Sequence, residues 1–177
     1  ETILVNGIDN RDNYYMKKVY MKFVRAIDFL TSQPDWDGKN VIVQGGSQGG
    51  ALAIVTAGLD KRVTACVANH PALSDMAGYK AGRAGGYPHL FKNYKGMDTP
   101  EKISTLAYYD VVNFAKQIKV PVYITWGISD DTCPPTTSYI VYNVLDCPKD
   151  ALITPINEHW TSDDTEYGQF EMDSETS

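Results

Sequence analysis

The sequence lacks the features that mark several large protein classes. It has no apolar run of the length that a membrane span needs. Its 16 lysine and arginine residues are outnumbered by 22 aspartate and glutamate residues, and no cluster of basic residues stands out that would follow a nucleic acid. These absences argue against a membrane or a nucleic acid as a partner of this acidic chain.

Cysteine is also scarce. The three cysteines form no C-x-x-C pair and cannot all be bridged, and Cys66 lies in an apolar run that predicts a small core residue. No group of histidine, cysteine and carboxylate residues has the spacing of metal ligands, so the sequence predicts neither a metal nor an organic cofactor. It opens on Glu1 without a start methionine or signal peptide, so we expect any targeting signal to lie outside these residues.

What is present is an alternation of helix and strand patterns over 177 residues, enough for one domain with a sizeable core. The predicted helices cover about residues 12–33, 51–57, 110–118 and 136–145, and the predicted strands cover 41–43, 63–68, 120–126 and 151–156. A glycine- and aromatic-rich stretch at about 74–107 is predicted to be an insertion. Alternating elements indicate an α/β fold, with a mostly parallel sheet flanked by helices.

The most informative stretch is residues 45–50 (GGSQGG), between an apolar strand pattern and an apolar helix pattern. A serine between glycines at a strand-to-helix turn is the nucleophile elbow, G-x-S-x-G. The turn brings the residues two before and two after Ser47 together, so we expect both Gly45 and Gly49 to require hydrogen as a side chain. The alternative is a glycine-rich turn in which the serine caps a helix.

A serine nucleophile needs a histidine to take its proton and a carboxylate to orient that histidine. In α/β-hydrolases these residues follow the serine in the order acid, then histidine. Among the three histidines, His159 alone follows the last predicted strand, which favours it as the base; we interpret His70 and His89 as structural or pocket-wall residues.

Two neighbouring aspartates compete for the acid. Asp130 and Asp131 both lie in the loop after the strand at 120–126. Their residue type and position alone barely indicate which of them is the triad acid. Asp110 also precedes His159, but we expect it to cap its own helix.

Four motifs occur in order: residues 12–15 (DNYY), 45–50 (GGSQGG), 108–115 (YYDVVNFA) and 130–135 (DDTCPP). Together they make the chain resemble the acetyl xylan esterase and cephalosporin-C deacetylase family, carbohydrate esterase family seven, over nearly its whole length. The resemblance implies the α/β-hydrolase fold with Ser47 as nucleophile, Asp130 as acid and His159 as base. It also implies that the Gln48 backbone N–H is one donor of the oxyanion hole.

The resemblance has departures. The usual His-Glu-Gly of the family is His159-Trp160-Thr161 here, and residues 75–91 do not match the smaller members. These departures concern the acyl and alcohol pockets rather than the triad. Tyr87, His89, Trp126 and Trp160 are candidates to line a sugar-binding cleft, although aromatic packing in the core explains each of them equally well.

The resemblance implies a serine esterase that removes acetyl groups from acetylated xylan fragments, and also from cephalosporin C, through an acetyl-enzyme intermediate. It further implies assembly into homo-oligomers, and a polymeric plant substrate suggests a secreted or periplasmic protein. Two alternatives remain open: a serine peptidase of the prolyl oligopeptidase type, and a carbohydrate-binding remnant without turnover.

Four strands are fewer than the roughly eight of a complete α/β-hydrolase. We therefore expect residues 1–177 to be the C-terminal catalytic part of a single α/β-hydrolase domain whose N-terminal strands precede them. Without those strands, the strand at 41–43 should expose apolar surface and unpaired backbone groups.

Overall fold

The computed structural model describes residues 3–159, which form four strands and six α-helices. The helices are α1 (Tyr15–Thr31), α2 (Gln48–Leu59), α3 (Leu90–Asn93), α4 (Pro100–Tyr109), α5 (Val111–Ala115) and α6 (Pro135–Val144). The strands are β1 (Ile42–Gly46), β2 (Ala65–Asn69), β3 (Val122–Gly127) and β4 (Lys149–Thr154). Short 3₁₀ turns cover Ile3–Val5 and Gly78–Ala81.

The sheet is parallel throughout, in the order β1-β2-β3-β4. Each strand therefore needs a crossover to reach the next, and the helices supply these connections. Gly46 lies opposite Asn69, and Gly127 lies opposite Thr154, so the carboxyl ends of neighbouring strands meet at one edge. The predicted α/β class with a parallel sheet is confirmed, and this edge is where α/β proteins place their ligands.

The core forms around α2. This helix is apolar on every side, and all its residues from Gly50 to Ala57 are buried between β1, β2, α1 and α5. Helix α1 contacts α2 and buries Met16, Tyr20 and Ile27, and the Tyr20 hydroxyl donates to the Tyr109 carbonyl at 2.9 Å. The elbow serine is therefore attached to the most deeply buried helix of the described chain.

The insertion contains a helix that the sequence analysis did not predict. Helix α4 begins with Pro100 at its first position, and the Thr99 side chain caps it by accepting from the Lys102 N–H. Proline directly after a capping threonine is a helix-start signal that could have revealed it. Asp110 caps α5 as predicted, and its carboxylate also accepts from the backbone N–H groups at Asp75 and Met76, which ties the start of the insertion to α5.

Strand β1 is an edge of the sheet as far as the structure describes the chain, since β2 is its one strand partner between residues 3 and 159. Ile42 is 47% exposed and Val43 half-buried, whereas Val41, just before the strand, is buried. The apolar strand pattern at 41–43 thus includes side chains that are partly exposed here. None of the helices described combines the length and apolarity that crossing a bilayer requires.

We expect residues 1–177, expressed by themselves, to self-associate through β1, because an open strand edge beside exposed apolar side chains pairs readily with another chain. Ile42→Lys places a charge on this edge and should shift the population towards monomer in size-exclusion chromatography with light scattering. Phe29→Lys is the control, since it charges an apolar residue on α1 that is 65% exposed and lies outside the strand. A monodisperse parent monomer would contradict the expectation.

Candidate active site

The turn between β1 and α2 holds Ser47 in a backbone conformation that few non-glycine residues adopt. Its φ of 55° and ψ of −119° lie outside the ordinary regions, at a cost of about 1–3 kcal/mol. Three hydrogen bonds stabilise the turn: the Ser47 N–H donates to the Asn69 carbonyl at 2.9 Å, and the Ser47 carbonyl accepts from Ala51 and Ala72. The strand end next to β1 and the first turn of α2 thus fix the orientation of the serine hydroxyl.

Three side chains from separate loops meet at this turn. His159 Nε2 lies 2.8 Å from Ser47 Oγ, and His159 Nδ1 lies 2.8 Å from Asp130 Oδ2. A carboxylate oxygen accepts, so Nδ1 carries the proton and Nε2 is left to accept from the serine hydroxyl. Asp130 and His159 are 3% and 6% exposed, so water competes little for these contacts.

The structure brings Asp130 rather than Asp131 to His159. The second oxygen of Asp130, Oδ1, accepts from the backbone N–H groups of Thr132 at 2.9 Å and Cys133 at 2.7 Å. Both carboxylate oxygens are thereby engaged, which orients the side chain without rotational freedom. Asp131 is exposed, and its nearest polar contact is the Thr132 hydroxyl at 3.4 Å.

Sequence comparison matches residues 1–171 to the acetyl xylan esterase (AXE1) family. The acetyl esterase Axe7A of Xylanibacter ruminicola is 73% identical over 166 residues, which make up 94% of this chain and 38% of that protein. The chain belongs to the acetyl xylan esterase family. It spans little more than a third of the length of that curated relative.

Solved structures agree with this family. Acetyl xylan esterase 1 from Thermoanaerobacterium sp. JW/SL YS485 superposes with a TM-score of 0.86 at 27% identity, over 98% of this chain and 57% of its own. The acetyl xylan esterase from Paenibacillus sp. R4 gives 0.80 at 31% identity, over 94% of this chain and 54% of its own. An acylaminoacyl peptidase at 18% identity and TM-score 0.70 shares the fold alone. The α/β-hydrolase fold is therefore confirmed.

Within this esterase fold the elbow glycines have unequal roles. A Cβ added at Gly45 would come within 2.4 Å of the Gly49 backbone, whereas a Cβ added at Gly49 would meet nothing within 4 Å. The expectation that both positions require glycine is therefore wrong for Gly49. The crowding is one-sided because the Gly45 Cβ would point at the first turn of α2, while the Gly49 Cβ would point away from the elbow.

We expect Gly45→Ala to separate β1 from α2 at the elbow, lowering the free energy of unfolding by about 1–3 kcal/mol, as overpacking does, and reducing acetyl-ester hydrolysis strongly. Gly49→Ala is the matched control and should leave both properties near the parent values. Thermal unfolding and turnover of an acetyl ester provide the measurements. Equal effects of the two substitutions would contradict the one-sided crowding.

His70 lies directly against the triad histidine. Its ring centroid is 4.6 Å from that of His159 in an edge-to-face arrangement. Burial and the neighbouring His159 lower the pKa of His70 to about 4, so its ring is neutral at neutral pH and adds no positive charge beside His159. Its predicted role as a structural or wall residue agrees with this packing.

Three of the four residues proposed for a sugar cleft lie in the part of the chain that the structure describes, and their surroundings differ. Trp126 is 1% exposed and packs against Tyr139 and Tyr142 of α6, so it is a core residue and the cleft interpretation is wrong for it. Tyr87 is half-buried in the insertion, with its ring 6.3 Å from that of His89. Trp160 lies outside the described residues.

The fold also assembles a cluster that the sequence spacing did not reveal. Asp130, Cys133 and His159 are buried and offer one ligand atom each, all within 4.8 Å of one another. The Asp130 oxygens and both His159 nitrogens are already engaged in the hydrogen bonds described above, and burial raises the pKa of the Cys133 thiol to about 12. This donor set favours a hydrogen-bonded chain over a resident cation, because metal binding would require a thiolate and break those bonds.

Proposed function

We propose that this chain carries the catalytic triad of an acetyl esterase that acts on acetylated xylan and xylo-oligosaccharides. Membership of the acetyl xylan esterase family supports the reaction class. The observation that carries the proposal is the continuous contact from Ser47 through His159 to Asp130, with both distances at 2.8 Å. Ser47 is the nucleophile, His159 the base and Asp130 the acid that orients it.

The reaction follows from these positions. As the Ser47 hydroxyl attacks the acetyl carbonyl carbon, His159 Nε2 takes its proton, and the Asp130 carboxylate stabilises the imidazolium that forms. The tetrahedral intermediate collapses, the sugar oxygen leaves with the proton from Nε2, and an acetyl-Ser47 ester remains. Water then attacks this ester while giving a proton to His159, and the imidazolium returns that proton to Ser47 Oγ as the acyl–oxygen bond breaks, which releases acetate and regenerates the serine hydroxyl and the neutral base.

The oxyanion needs donors at the start of α2. The first N–H groups of a helix have no carbonyl of their own helix to bind, and the positive end of the helix dipole lies there. Gln48 is the first residue of α2 and follows the nucleophile, so we assign its backbone N–H as one oxyanion donor. One such donor typically contributes about 3 kcal/mol to the transition state.

The decisive experiment measures, with the full-length protein, acetate release from acetylated xylo-oligosaccharides and from cephalosporin C, and cleavage of a prolyl peptide substrate. We expect turnover of the acetylated sugar and none of the peptide. Peptide cleavage without acetate release would support the peptidase alternative instead. Turnover of cephalosporin C would extend the substrate class to acetylated antibiotics.

Labelling with an organophosphonate separates an esterase from a binding remnant. A live nucleophile forms a covalent adduct on Ser47, detectable by mass spectrometry of the peptide that contains it. Sugar binding without labelling would overturn the esterase proposal in favour of the remnant. Assembly into homo-oligomers, export from the cytoplasm and the place of residues 1–177 within a larger hydrolase domain stay predictions.

A further inference from the structure

His89, in the insertion, adopts a backbone conformation that its local sequence does not require. Its φ of 54° and ψ of 46° are left-handed, a conformation that is unfavourable for a residue with a β-carbon. The helix that follows, α3, has four residues, too few to stabilise such a turn by itself. An unfavourable conformation that persists points to contacts of the side chain that outweigh its cost.

Both nitrogens of the His89 ring have partners. Nε2 lies 2.8 Å from the Thr132 carbonyl oxygen, and Nδ1 lies 2.9 Å from the Tyr79 hydroxyl. A carbonyl oxygen can only accept, so Nε2 carries the proton and Nδ1 is left to accept from the Tyr79 O–H. The tyrosine thus holds the imidazole in the tautomer that donates to the loop of Asp130.

The peptide group that His89 contacts is the one that supports the triad acid. The carbonyl of Thr132 and the N–H of Cys133 belong to the same peptide unit, and that N–H donates to Asp130 Oδ1 at 2.7 Å. A hydrogen bond received at the oxygen of a peptide fixes its plane and polarises its N–H, which strengthens the bond donated at the other end. The His89 side chain is therefore linked to Asp130 through one rigid group, the planar Thr132–Cys133 peptide.

The position of Tyr79 is itself specified by the chain. A Cβ at Gly85 would come within 2.3 Å of the Tyr79 ring, and Gly85 has a φ of +70°. Glycine at this point allows the tyrosine ring to lie flat against the backbone and reach His89. Within the insertion, the Tyr79 hydroxyl thus holds the His89 imidazole, and the imidazole contacts the loop that carries Asp130.

We propose that His89 is a positioning residue for Asp130, holding the Thr132–Cys133 peptide in the orientation that supports the acid and, through it, His159. This inference rests on the proposed function of the triad. It assigns the insertion a part in catalysis other than lining a cleft, because His89 contacts the backbone of the acid loop at Thr132. Removing the ring should therefore affect the chemical step rather than substrate binding.

The test compares His89→Ala with His89→Gln in the full-length protein. Glutamine supplies a donor for the Thr132 carbonyl and an acceptor for Tyr79, whereas alanine supplies neither. We expect His89→Ala to lower kcat about tenfold with KM unchanged, the effect expected for losing support of a charged acceptor. His89→Gln should recover most of the loss. A raised KM with parent kcat in His89→Ala would overturn the proposal in favour of a cleft wall.

Tyr79→Phe gives a second variant that leaves His89 in place. It removes the hydrogen bond that selects the tautomer and should lower kcat severalfold, whereas Tyr94→Phe, a hydroxyl deletion elsewhere in the insertion, should not. If the Tyr79→Phe and His89→Ala variants both fold and both keep the kcat of the parent, the proposal is overturned.

The proton NMR signal of the His159 Nδ1 proton reads the acid directly. It should shift in His89→Ala and return in His89→Gln, and a fall in melting temperature without this shift would indicate packing alone and overturn the proposal. This signal does not depend on turnover. Parent protein that neither releases acetate nor reacts with the phosphonate would therefore contradict the proposed function, while the shift would still decide the role of His89.

Discussion

Replacing Ser47 with alanine should lower acetyl-ester hydrolysis by about 10⁶-fold, the size of loss that follows removal of a triad serine. The reason is that Ser47 Oγ lies 2.8 Å from His159 Nε2, the nitrogen that takes its proton, and alanine has no oxygen there to attack the acetyl group. The substitution removes one oxygen at a half-buried turn and retains the backbone bonds to Asn69, Ala51 and Ala72, so the fold should persist.

The control is Ser129→Ala, which removes an exposed hydroxyl from the loop that carries Asp130. It should leave turnover and the melting temperature near the parent values. The measurement is acetate release in the full-length protein, together with phosphonate labelling of the parent and both variants. Near-parent activity in folded Ser47→Ala would show that another group is the nucleophile.

Asp130→Asn should lower kcat by about 10⁴-fold, as amide substitution of a triad acid does. Asparagine keeps the shape of the side chain, and its carbonyl oxygen can still accept from the Thr132 and Cys133 N–H groups. Its NH₂ group then faces His159 Nδ1 and donates to it, which moves the imidazole proton to Nε2. A protonated Nε2 cannot take the serine proton, so the base is lost while the geometry is retained.

Asp131→Asn is the matched control one residue away. Asp131 is exposed and its carboxylate contacts the Thr132 hydroxyl, whereas the His159 imidazole bonds to Asp130, so Asp131→Asn should support near-parent turnover. The comparison needs kcat and melting temperatures for both variants. A larger loss in Asp131→Asn than in Asp130→Asn would contradict the assignment of the acid.

The elbow shows how far sequence reasoning could go. An apolar strand pattern, G-x-S-x-G and an apolar helix pattern are local signals, and the structure has the strand, the turn and the helix in that order. The same signals overstated the need for glycine at Gly49, because the direction of a Cβ depends on how the helix leaves the turn. Helix α4 was not predicted, because its clearest sequence signal is the helix start at Thr99 and Pro100 rather than an amphipathic period.

The triad residues of the candidate site were predictable from the sequence, but the contacts that hold them in place were not. The order of Ser47, an acid and His159 along the chain follows from the topology of parallel α/β sheets, and the family motif favoured Asp130 over its neighbour. For Trp126 the sequence left the cleft and the core equally open, because an aromatic residue at a strand end can face either of them. Its burial against α6 is decided by packing between elements far apart in sequence.

By itself the sequence determined the local chemistry: a serine on a strained turn, an apolar helix behind it and the residue types of an esterase triad. The sequence favoured His159 as the base, but only the tertiary structure shows its contact with Ser47, since that contact spans 112 residues and forms when parallel strands bring their carboxyl ends together. It likewise decided that His70 packs on His159 and that His89 reaches the peptide supporting Asp130. Such contacts join separate loops, and a linear pattern carries no signal for the distance between them.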